Sequence, residues 1–362
     1  MYTEEEMVIF SIIYSDYTKE QYPREKADHE LLFESFKLSL EYEESFFDEQ
    51  IREKLLVKSV ENLQRKNPRK DYGKRCEELK KYFENFTYEI YMKKAEKEIA
   101  LAQENSIKII TYLSDKYPQH LKNIKIPPFV LYVKGLFPQK KEFERSIAII
   151  GSRKMDKKYG KNLALKLGEY LLENAWYNIS GLASGCDEYG HIGSMGATGA
   201  VLGQGLCTPV FPCENTQLAR DIVDNDGFLL SELPPSTQPA GHFLILRDRL
   251  QSGLTKGVIV VETSINGGTL HTVKYALEQK RKVFVMDMSH ITVVENEEVI
   301  KGNRALLDCN LSMGSINIPK KERKRIIGIK KIKDLDRYLE KLGTASFSEK
   351  IQNRKLIQKT LL

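Results

Sequence analysis

The sequence predicts an α/β fold: a doubly wound, mostly parallel sheet, preceded by an all-helical N-terminal domain and followed by a short basic helical tail. Short β-branched runs alternate with helix-like stretches over about 180 residues, a pattern typical of sheets covered by helices on both faces. Two of the runs, Ser146–Ile150 and Gly257–Val261, are continuously apolar, as expected for strands buried on both faces. The first 112 residues contain two prolines and one glycine, and their apolar residues recur at helical spacing.

Residues 1–105 are predicted to form the helical domain. Leu31, Leu32, Phe36 and Leu40 show the helical spacing, between positions rich in glutamate and lysine. Nothing catalytic stands out in this region. The acidic run from Glu41 to Glu49 is interpreted as a solvated helix face, with a partner surface as the alternative. Helices are expected near residues 28–46, 48–66, 74–84 and 87–104.

Residues 106–318 are predicted to form the α/β domain. In a doubly wound sheet, ligands bind beyond the carboxyl ends of the strands, so the loops that follow the strands are the places to search for a site. The candidate strands are 107–113, 130–133, 146–150, 177–180, 200–202, 228–230, 258–261 and 283–286. The helix-like stretches lie near 158–174, 186–196, 215–225, 242–253, 269–279 and 301–307.

The composition indicates a water-soluble protein. Apolar residues make up 41% and charged residues 29% of the chain. No stretch approaches the roughly 18 consecutive apolar residues of a membrane span, so no membrane partner is expected. Met1–Phe10 carries three glutamates and no basic residue, unlike a secretory signal. Five cysteines at scattered spacings form neither a C-x-x-C pair nor a zinc pattern, which favours reduced thiols, no metal site and a cytoplasmic location.

The net charge of +6 is unevenly distributed along the chain. Residues 1–112 carry a net charge of −5, residues 113–318 carry +2, and residues 319–362 carry +9. The basic excess therefore lies in the predicted tail, 319–362, and not in the α/β domain. Two interpretations of the tail remain open: it strengthens nucleic-acid binding without specificity, or it docks on the acidic helical region.

Three loops that follow strands combine glycine, hydroxyl groups and a helix start, the ingredients of a phosphate site. The first is Gly151-Ser152-Arg153, where the arginine adds a bidentate phosphate ligand. The second contains Ser180, Gly181 and Gly185, and the third contains Gly267, Gly268 and Thr269. Each alone is compatible with a plain β–α turn. Because the carboxyl ends of parallel strands share one edge, the three together favour an anion or nucleotide-phosphate site.

Two further features have alternative interpretations. Asp187 and His191, four residues apart, are either a helix cap with its neighbour or a catalytic pair. The segment Gly241–Arg249 places His242, Phe243, Arg247 and Arg249 on one predicted helix, a combination of stacking and charge that suits single-stranded nucleic acid. Alternatively, Phe243 belongs to the core and Arg247 pairs with an acidic neighbour.

These segments, in this order, resemble the DprA/Smf DNA-processing family from about Lys108 to Asp308. The chain departs from the family pattern at several points, of which three concern the binding residues and the tail. Three residues separate Phe243 from Arg247 where two are usual, Asp248 replaces an asparagine, and the basic tail replaces the winged-helix module of many members. The matching segments are Tyr117-Pro118, Pro127-Pro128, Leu131–Gly135, Gly151–Arg153 with Tyr159-Gly160, Ser180–Asp187 with His191, Pro212–Asn215, Ser231-Glu232, Phe243 with Arg247 and Arg249, Gly253-Leu254, Gly267–Leu270 and Lys301–Arg304.

The resemblance implies an extended Rossmann-like domain that binds and protects single-stranded DNA and loads the RecA recombinase in natural transformation. A related role in DNA uptake or phage defence is the alternative. The resemblance also implies a homodimer, and no cofactor is expected. Contacts should involve the DNA backbone, so little sequence preference is expected. The predicted nucleic-acid-binding residues are Gly151, Ser152, Arg153, Ser180, Gly181, Gly185, His242, Phe243, Arg247, Arg249, Lys256, Gly267, Gly268 and Thr269.

An enzyme of the same superfamily is the second hypothesis, as a nucleotide-binding sensor or a nucleotide hydrolase. Phosphoribohydrolases of the "lonely guy" type carry Gly-Gly-x-Gly-Thr followed closely by a catalytic glutamate. Here Gly267-Gly268-Thr269 is followed by Leu270-His271-Thr272, without a carboxylate. The sequence therefore favours binding over catalysis.

Overall fold

The computed structural model describes residues 2–21, 29–156, 159–289 and 297–342. It shows an α/β protein with one mostly parallel nine-stranded sheet, which confirms the predicted fold class. None of the helices in these ranges is long and apolar enough to cross a bilayer.

The N-terminal region is entirely helical within the described ranges. Its helices are α1 Glu4–Gln21, α2 His29–Tyr42, α3 Glu49–Lys66, α4 Tyr72–Glu84 and α5 Tyr88–Glu104. The last four correspond to the predicted helices. The first was not predicted, because the run Met7–Ile13 is buried along its whole length and shows no polar face to mark a helical period.

The sheet has the strand order β1-β2-β6-β5-β4-β3-β7-β8-β9. The strands β3 to β9 run parallel to one another, whereas β2 pairs antiparallel with both β1 and β6. The eight predicted strands are all present, and two of them, β3 and β4, have the predicted bounds. The strands are β1 Lys108–Thr111, β2 Val130–Gly135, β3 Ser146–Ile150, β4 Tyr177–Ser180, β5 Thr198–Val201, β6 Phe228–Ser231, β7 Gly257–Val260, β8 Lys282–Met286 and β9 Ile327–Ile329.

Helices cover both faces of this sheet, as the alternating pattern predicts. The α-helices are α6 Gln119–Lys122, α7 Lys140–Phe143, α8 Tyr159–Glu173, α9 Cys186–Gly193, α10 Thr216–Asp224, α11 Gly241–Leu254, α12 Thr269–Glu278, α13 Lys301–Leu307, α14 Lys320–Arg323 and α15 Asp336–Leu342. Short 3₁₀ helices span Cys213–Asn215, Glu297–Ile300 and Ile332–Leu335.

The helical region packs against the β1–β2 end of the sheet. Helix α1 contacts both strands, and its apolar side chains share one core with Phe129 and Tyr132. Glu232 is the polar centre of this contact: its carboxylate binds Arg249 through two oxygens at 2.6 Å, and its backbone carbonyl accepts a hydrogen bond from Ser11 Oγ at 3.0 Å. A buried ion pair therefore lies between the helical region and the sheet.

The predicted boundary at residue 318 is wrong for the part of the tail that the structure describes. Residues Ile327–Ile329 form β9, which pairs in parallel with β8 at the edge of the sheet. Ile329, Leu335 and Leu339 are buried in the core on the α8 face. The sequence did not predict β9, because its few apolar residues lie within a strongly charged stretch. The last helix predicted for the tail lies beyond residue 342, outside the described residues.

Candidate functional site

A cleft of about 610 Å³ opens at the carboxyl edge of the sheet, beyond the ends of β3 and β7. Three segments form its walls: the loop after β3, the outward face of α11, and the loop leading into α12. The lining includes Gly151–Lys154, Ala183, Asp187, Gly241, Leu244, Ile245, Arg247, Asp248, Gln251, Ser264, Gly267–Thr269, His271, Thr272, Glu298 and Val299. The three loops that the sequence indicated thus meet at one cleft.

Glycines in the first two loops allow the loops to pack on each other. A Cβ atom on Gly151 would overlap the Sγ atom of Cys186. Gly185 has a φ of +85°, and a Cβ atom there would lie 2.5 Å from the carbonyl oxygen of Ser152. These two glycines are therefore required for loop–loop contact, in addition to any role in ligand approach.

Several backbone N–H groups of the predicted phosphate-binding loops already donate hydrogen bonds within the protein. The N–H of Ser152 donates to the carbonyl of Glu262 at 2.7 Å. The N–H of Gly181 donates to Asp187 Oδ2 at 3.0 Å, and that of Gly185 to Glu188 Oε2 at 3.1 Å. The expectation that these N–H groups hold phosphate is therefore wrong, because the loops use them to fix their own shape. Ser180 likewise donates its hydroxyl to the carbonyl of Ile149 at 2.6 Å.

Arg247 lies at the floor of the cleft with only 5% of its side chain exposed. Its guanidinium packs on Gly181, where a Cβ atom would overlap the Nη1 atom. Nε and Nη1 have no hydrogen-bond partner among the described residues. Buried guanidinium groups are normally satisfied, so these atoms are unsatisfied donors beside the cleft, which a ligand meets only when the side chain shifts.

Two carboxylates flank this arginine. Asp248 Oδ1 lies 3.6 Å from Arg247 Nε, outside hydrogen-bond distance. Burial raises the pKa of Asp248 to about 6, although the positive charge of Arg247 opposes the shift. Burial also raises the pKa of Asp187, against the effects of Arg247 and of the Gly181 N–H group. Because an anion beside Arg247 would also lie near both carboxylates, it would favour their protonated forms.

Exposed cations stand at the mouth of the cleft. Arg153 and Lys154 are both exposed in the loop after β3. Across the cleft, Gly268 is exposed and Thr269 begins α12. The N–H groups of Leu270 and His271 donate to the carbonyls of Gly267 and Gly268, so this side offers the partial positive charge of the helix start. The rim therefore offers positive charge on one side and a helix start on the other.

The structure does not bring seven of the predicted residues into the cleft lining. Ser180, Gly181 and Gly185 are three of them, because the second loop reaches the cleft only through Ala183 and Asp187. Phe243 is only 2% exposed and lies in the core shared with the helical region; the half-buried ring of His242 lies 4.2 Å from the Phe243 ring, centroid to centroid. Arg249 is held by Glu232 on the opposite side of α11. Lys256 pairs with Glu144, and its N–H donates to Ser146 at the amino end of β3. Assigning Arg249 and Lys256 to the cleft is therefore wrong, as is base stacking by Phe243 in this structure.

Asp187 and His191 are not a catalytic pair. Asp187 accepts the N–H of Gly181, whereas His191 Nδ1 contacts Thr198 Oγ1 at 2.7 Å. Burial lowers the pKa of His191 to about 3, with a further contribution from Arg247, so the ring is neutral at physiological pH.

The sequence interpretation missed most of the residues through which α11 lines the cleft. Gly241, Leu244, Ile245, Asp248 and Gln251 line it, at intervals of three and four residues along α11. That spacing defines one helix face and could have been recognised once Arg247 was placed near a ligand.

The fold and the cleft define an α/β protein of the Rossmann-like type with an arginine-floored, glycine-rich cleft at the carboxyl edge of its sheet. A sequence model described as DNA recombination-mediator protein A matches residues 108–310. The chain belongs to this family, which confirms the resemblance found in the sequence.

Curated relatives include the DNA processing protein DprA of Bacillus subtilis, 39% identical over 190 residues (52% of this chain and 63% of the relative), and that of Streptococcus pneumoniae, 36% identical over 177 residues (48% and 61%). Protein Smf of Escherichia coli is 35% identical over 176 residues, covering 48% of this chain and 46% of that protein. The matched region thus spans less than two thirds of the length of these relatives.

Solved structures resemble the fold. The crystal structure of DprA from Streptococcus pneumoniae superposes with a TM-score of 0.62 at 21% identity, covering 96% of this chain and 99% of that chain. A structure concerned with the single-stranded DNA binding mode of DNA processing protein A from Helicobacter pylori superposes with a TM-score of 0.52 at 22% identity, covering 66% and 98%.

Proposed function

We propose that the cleft binds the phosphate backbone of single-stranded DNA. The observation that carries the proposal is the buried guanidinium of Arg247 at the floor of an open cleft. Its Nε and Nη1 atoms have no hydrogen-bond partner among the described residues, and Asp248 is its ion-pair partner at 3.6 Å. Membership of the DNA recombination-mediator family supports DNA as the anion, as does the single-stranded DNA binding of the Helicobacter pylori protein.

Binding would proceed from the rim of the cleft to its floor. Arg153 and Lys154 attract the polyanion from solvent, and a phosphate oxygen then reaches Arg247 as a charge-assisted hydrogen-bond acceptor. The half-buried hydroxyl of Ser152 supplies a further donor, and the start of α12 supplies the partial positive charge of its helix dipole. Since these groups recognise phosphate rather than base edges, sequence preference is small.

We further propose that the whole protein acts as its relatives' names indicate, in DNA processing: it protects single-stranded DNA and hands it to RecA, as a homodimer, in transformation or in a related DNA-uptake or defence role. Family membership supports these assignments. Co-sedimentation with RecA on single-stranded DNA tests the RecA contact. The mass in solution, measured by light scattering, tests the homodimer.

We propose that the cleft binds its ligand without catalysing a reaction on it. Glu262, a carboxylate near the cleft, is fully buried, and its Oε1 and Oε2 atoms lie against Gly160 at the start of α8. Its Oε2 atom accepts the N–H of Asp156 at 2.9 Å. A free nucleotide as ligand or substrate is the rival; calorimetry with mononucleotides and an assay of base release distinguish it.

Fluorescence titration of labelled oligo-dT at several salt concentrations tests the proposal. Binding is expected to weaken with salt, and Arg153→Glu is expected to reduce affinity by at least about ten-fold. The matched control is Lys282→Glu, which makes the same charge reversal at an exposed site at the amino end of β8. If Arg153→Glu binds as well as Lys282→Glu, the proposal is wrong.

A further inference from the structure

The turn that follows β9 carries four cations, Lys330, Lys331, Lys333 and Arg337, all of them exposed. We name this the β9 basic turn. It lies outside the residues that match the family model, which end at 310. It is also far from the acidic helical region, because β9 and β1 are opposite ends of the nine-stranded sheet. Docking of this part of the tail on the helical region is therefore excluded.

The cations of this region outnumber the acids that could neutralise them. Residues 320–342 contain ten basic and four acidic side chains. Three of the four acids are engaged: Glu322 pairs with Arg325, Asp336 accepts the hydroxyl of Tyr170, and Asp334 accepts backbone N–H groups. Within the described chain, the lysines of the β9 basic turn form no salt bridge, so their charge is available to a polyanion.

The backbone of the turn is fixed rather than loose. Asp334 Oδ2 accepts the N–H of Lys330 at 3.1 Å and of Lys331 at 3.0 Å. These hydrogen bonds lower the pKa of Asp334, and the nearby charges of Arg337 and Lys331 add to the effect. Leu335 is buried below the turn. The cations thus project from a structured base.

The β9 basic turn shares an edge of the sheet with the cleft. Ile329 is level with Met286, so Lys330 follows at the carboxyl edge, where Arg153 also follows β3. Strands β3 and β9 are three positions apart, about 14 Å at the usual strand spacing. That distance equals the axial rise of about four nucleotides of a B-form DNA strand, and of fewer nucleotides of an extended strand.

We propose that the β9 basic turn is a second contact for the same DNA strand, which leaves the cleft and passes over the carboxyl ends of β7, β8 and β9. This inference rests on the proposed function of the cleft. The sequence supports it further, since residues 343–362 contain four basic side chains and one acidic side chain. The turn therefore adds affinity for strands long enough to reach it, without base recognition.

The test compares oligo-dT of about 2 nucleotides, too short to reach from the cleft to the turn, with oligo-dT of about 16 nucleotides, the upper limit of a typical single-strand site. The variant is the triple substitution Lys330→Gln, Lys331→Gln and Lys333→Gln. The matched control replaces three exposed lysines of the helical region: Lys54→Gln, Lys93→Gln and Lys97→Gln. Both proteins lose the same net charge, so long-range electrostatics are matched.

For the longer oligonucleotide, the turn variant is expected to reduce the salt slope by about 2, at about 0.7 per lost contact, and to reduce affinity on the order of ten-fold. The short oligonucleotide and the control variant should be unaffected. Equal slopes for turn variant and control would overturn the inference, as would a turn variant that loses binding to anionic lipid vesicles but retains its DNA slope. If neither oligonucleotide shows binding that depends on Arg153, the proposed function itself fails, and this inference with it.

Discussion

The guanidinium of Arg247 packs directly on the Cα atom of Gly181, so that a side chain at position 181 and the arginine would occupy the same space. Gly181 follows β4, and Arg247 lies on α11. The contact joins two segments that are distant in sequence and sets the position of the only arginine that reaches the cleft floor among its described lining residues.

Gly181→Ala is expected to displace Arg247 and to reduce DNA affinity. The displacement of a buried side chain should also destabilise the fold by about 1–3 kcal/mol. Gly73→Ala, in α4 of the helical region, is the control, because a Cβ atom there makes only an ordinary contact, 3.5 Å from Asp71 Oδ1. Oligo-dT titration and thermal melting check the two effects, and a Gly181→Ala protein with unchanged affinity would show that the Arg247 position is unimportant.

DNA affinity is expected to rise as the pH falls from 8 to 5. The pKa of Asp248 is raised to about 6 by burial, and a bound phosphate should raise it further, so binding takes up a proton. Asp187 adds a smaller contribution in the same direction. Asp248→Asn removes the principal titrating group, and it should bind more tightly than wild type at pH 8 with a flatter pH profile. A profile identical to that of wild type would exclude Asp248 as its origin.

Glu262 is expected to make the protein less stable at alkaline pH. Burial raises its pKa from 4.5 to about 7, although the Asp156 N–H group opposes the shift. Since the folded state binds this proton more tightly than the unfolded state, the free energy of unfolding falls with rising pH. The stability present below about pH 4.5 is lost as the pH rises through 7, where the buried carboxyl ionises. Glu262→Gln keeps the shape without the charge and should be more stable than wild type at pH 8 by on the order of 2 kcal/mol.

Urea denaturation at pH 5 and pH 8 measures this difference. Glu96→Gln, at an exposed site on α5, is the control and should leave the pH dependence unchanged. A Glu262→Gln protein whose stability falls with pH as steeply as wild type would contradict the assignment.

Breaking the Arg249–Glu232 pair is expected to destabilise the protein without removing a DNA contact. The pair is buried between α1, α11 and the loop after β6, so Arg249→Met leaves an uncompensated charge and costs about 3–5 kcal/mol. The double variant Arg249→Met, Glu232→Leu should recover part of that loss. The salt dependence of DNA affinity, measured for each variant under conditions where it is folded, should equal that of wild type. A weaker salt dependence would show that Arg249 contacts DNA.

Much of the fold could be predicted from the sequence, because buried parallel strands are continuous apolar runs. Ser146–Ile150 was predicted with its observed bounds. Helix α1 was missed because its buried run lacks a polar face, and β9 because three residues in a charged segment carry too little pattern. The eventual partner of such a short strand, here β8, is set by tertiary packing.

The site was predicted in its loops but not in its side chains. Arg247 and Arg249 are two residues apart on a helix, about 200° around its axis, so both could not face the cleft. Lys256 directly precedes β7, which places it at the amino edge, away from any site at the carboxyl edge. Both errors could have been avoided by applying helix and strand geometry to individual residues. The use of loop N–H groups by Asp187 and Glu188 depends on contacts that only the folded structure reveals.

Photo-crosslinking is the most direct test of the central claim, that single-stranded DNA lies in the cleft. Oligo-dT carrying 4-thiothymidine is irradiated with the full-length protein, and the crosslinked peptides are identified by mass spectrometry. Crosslinks are expected within Gly151–Lys154, the Leu244–Asp248 face of α11 and the Gly267–Thr272 segment, and Arg153→Glu should remove them. Crosslinks confined to the helical region or to the amino edge of the sheet would contradict the account.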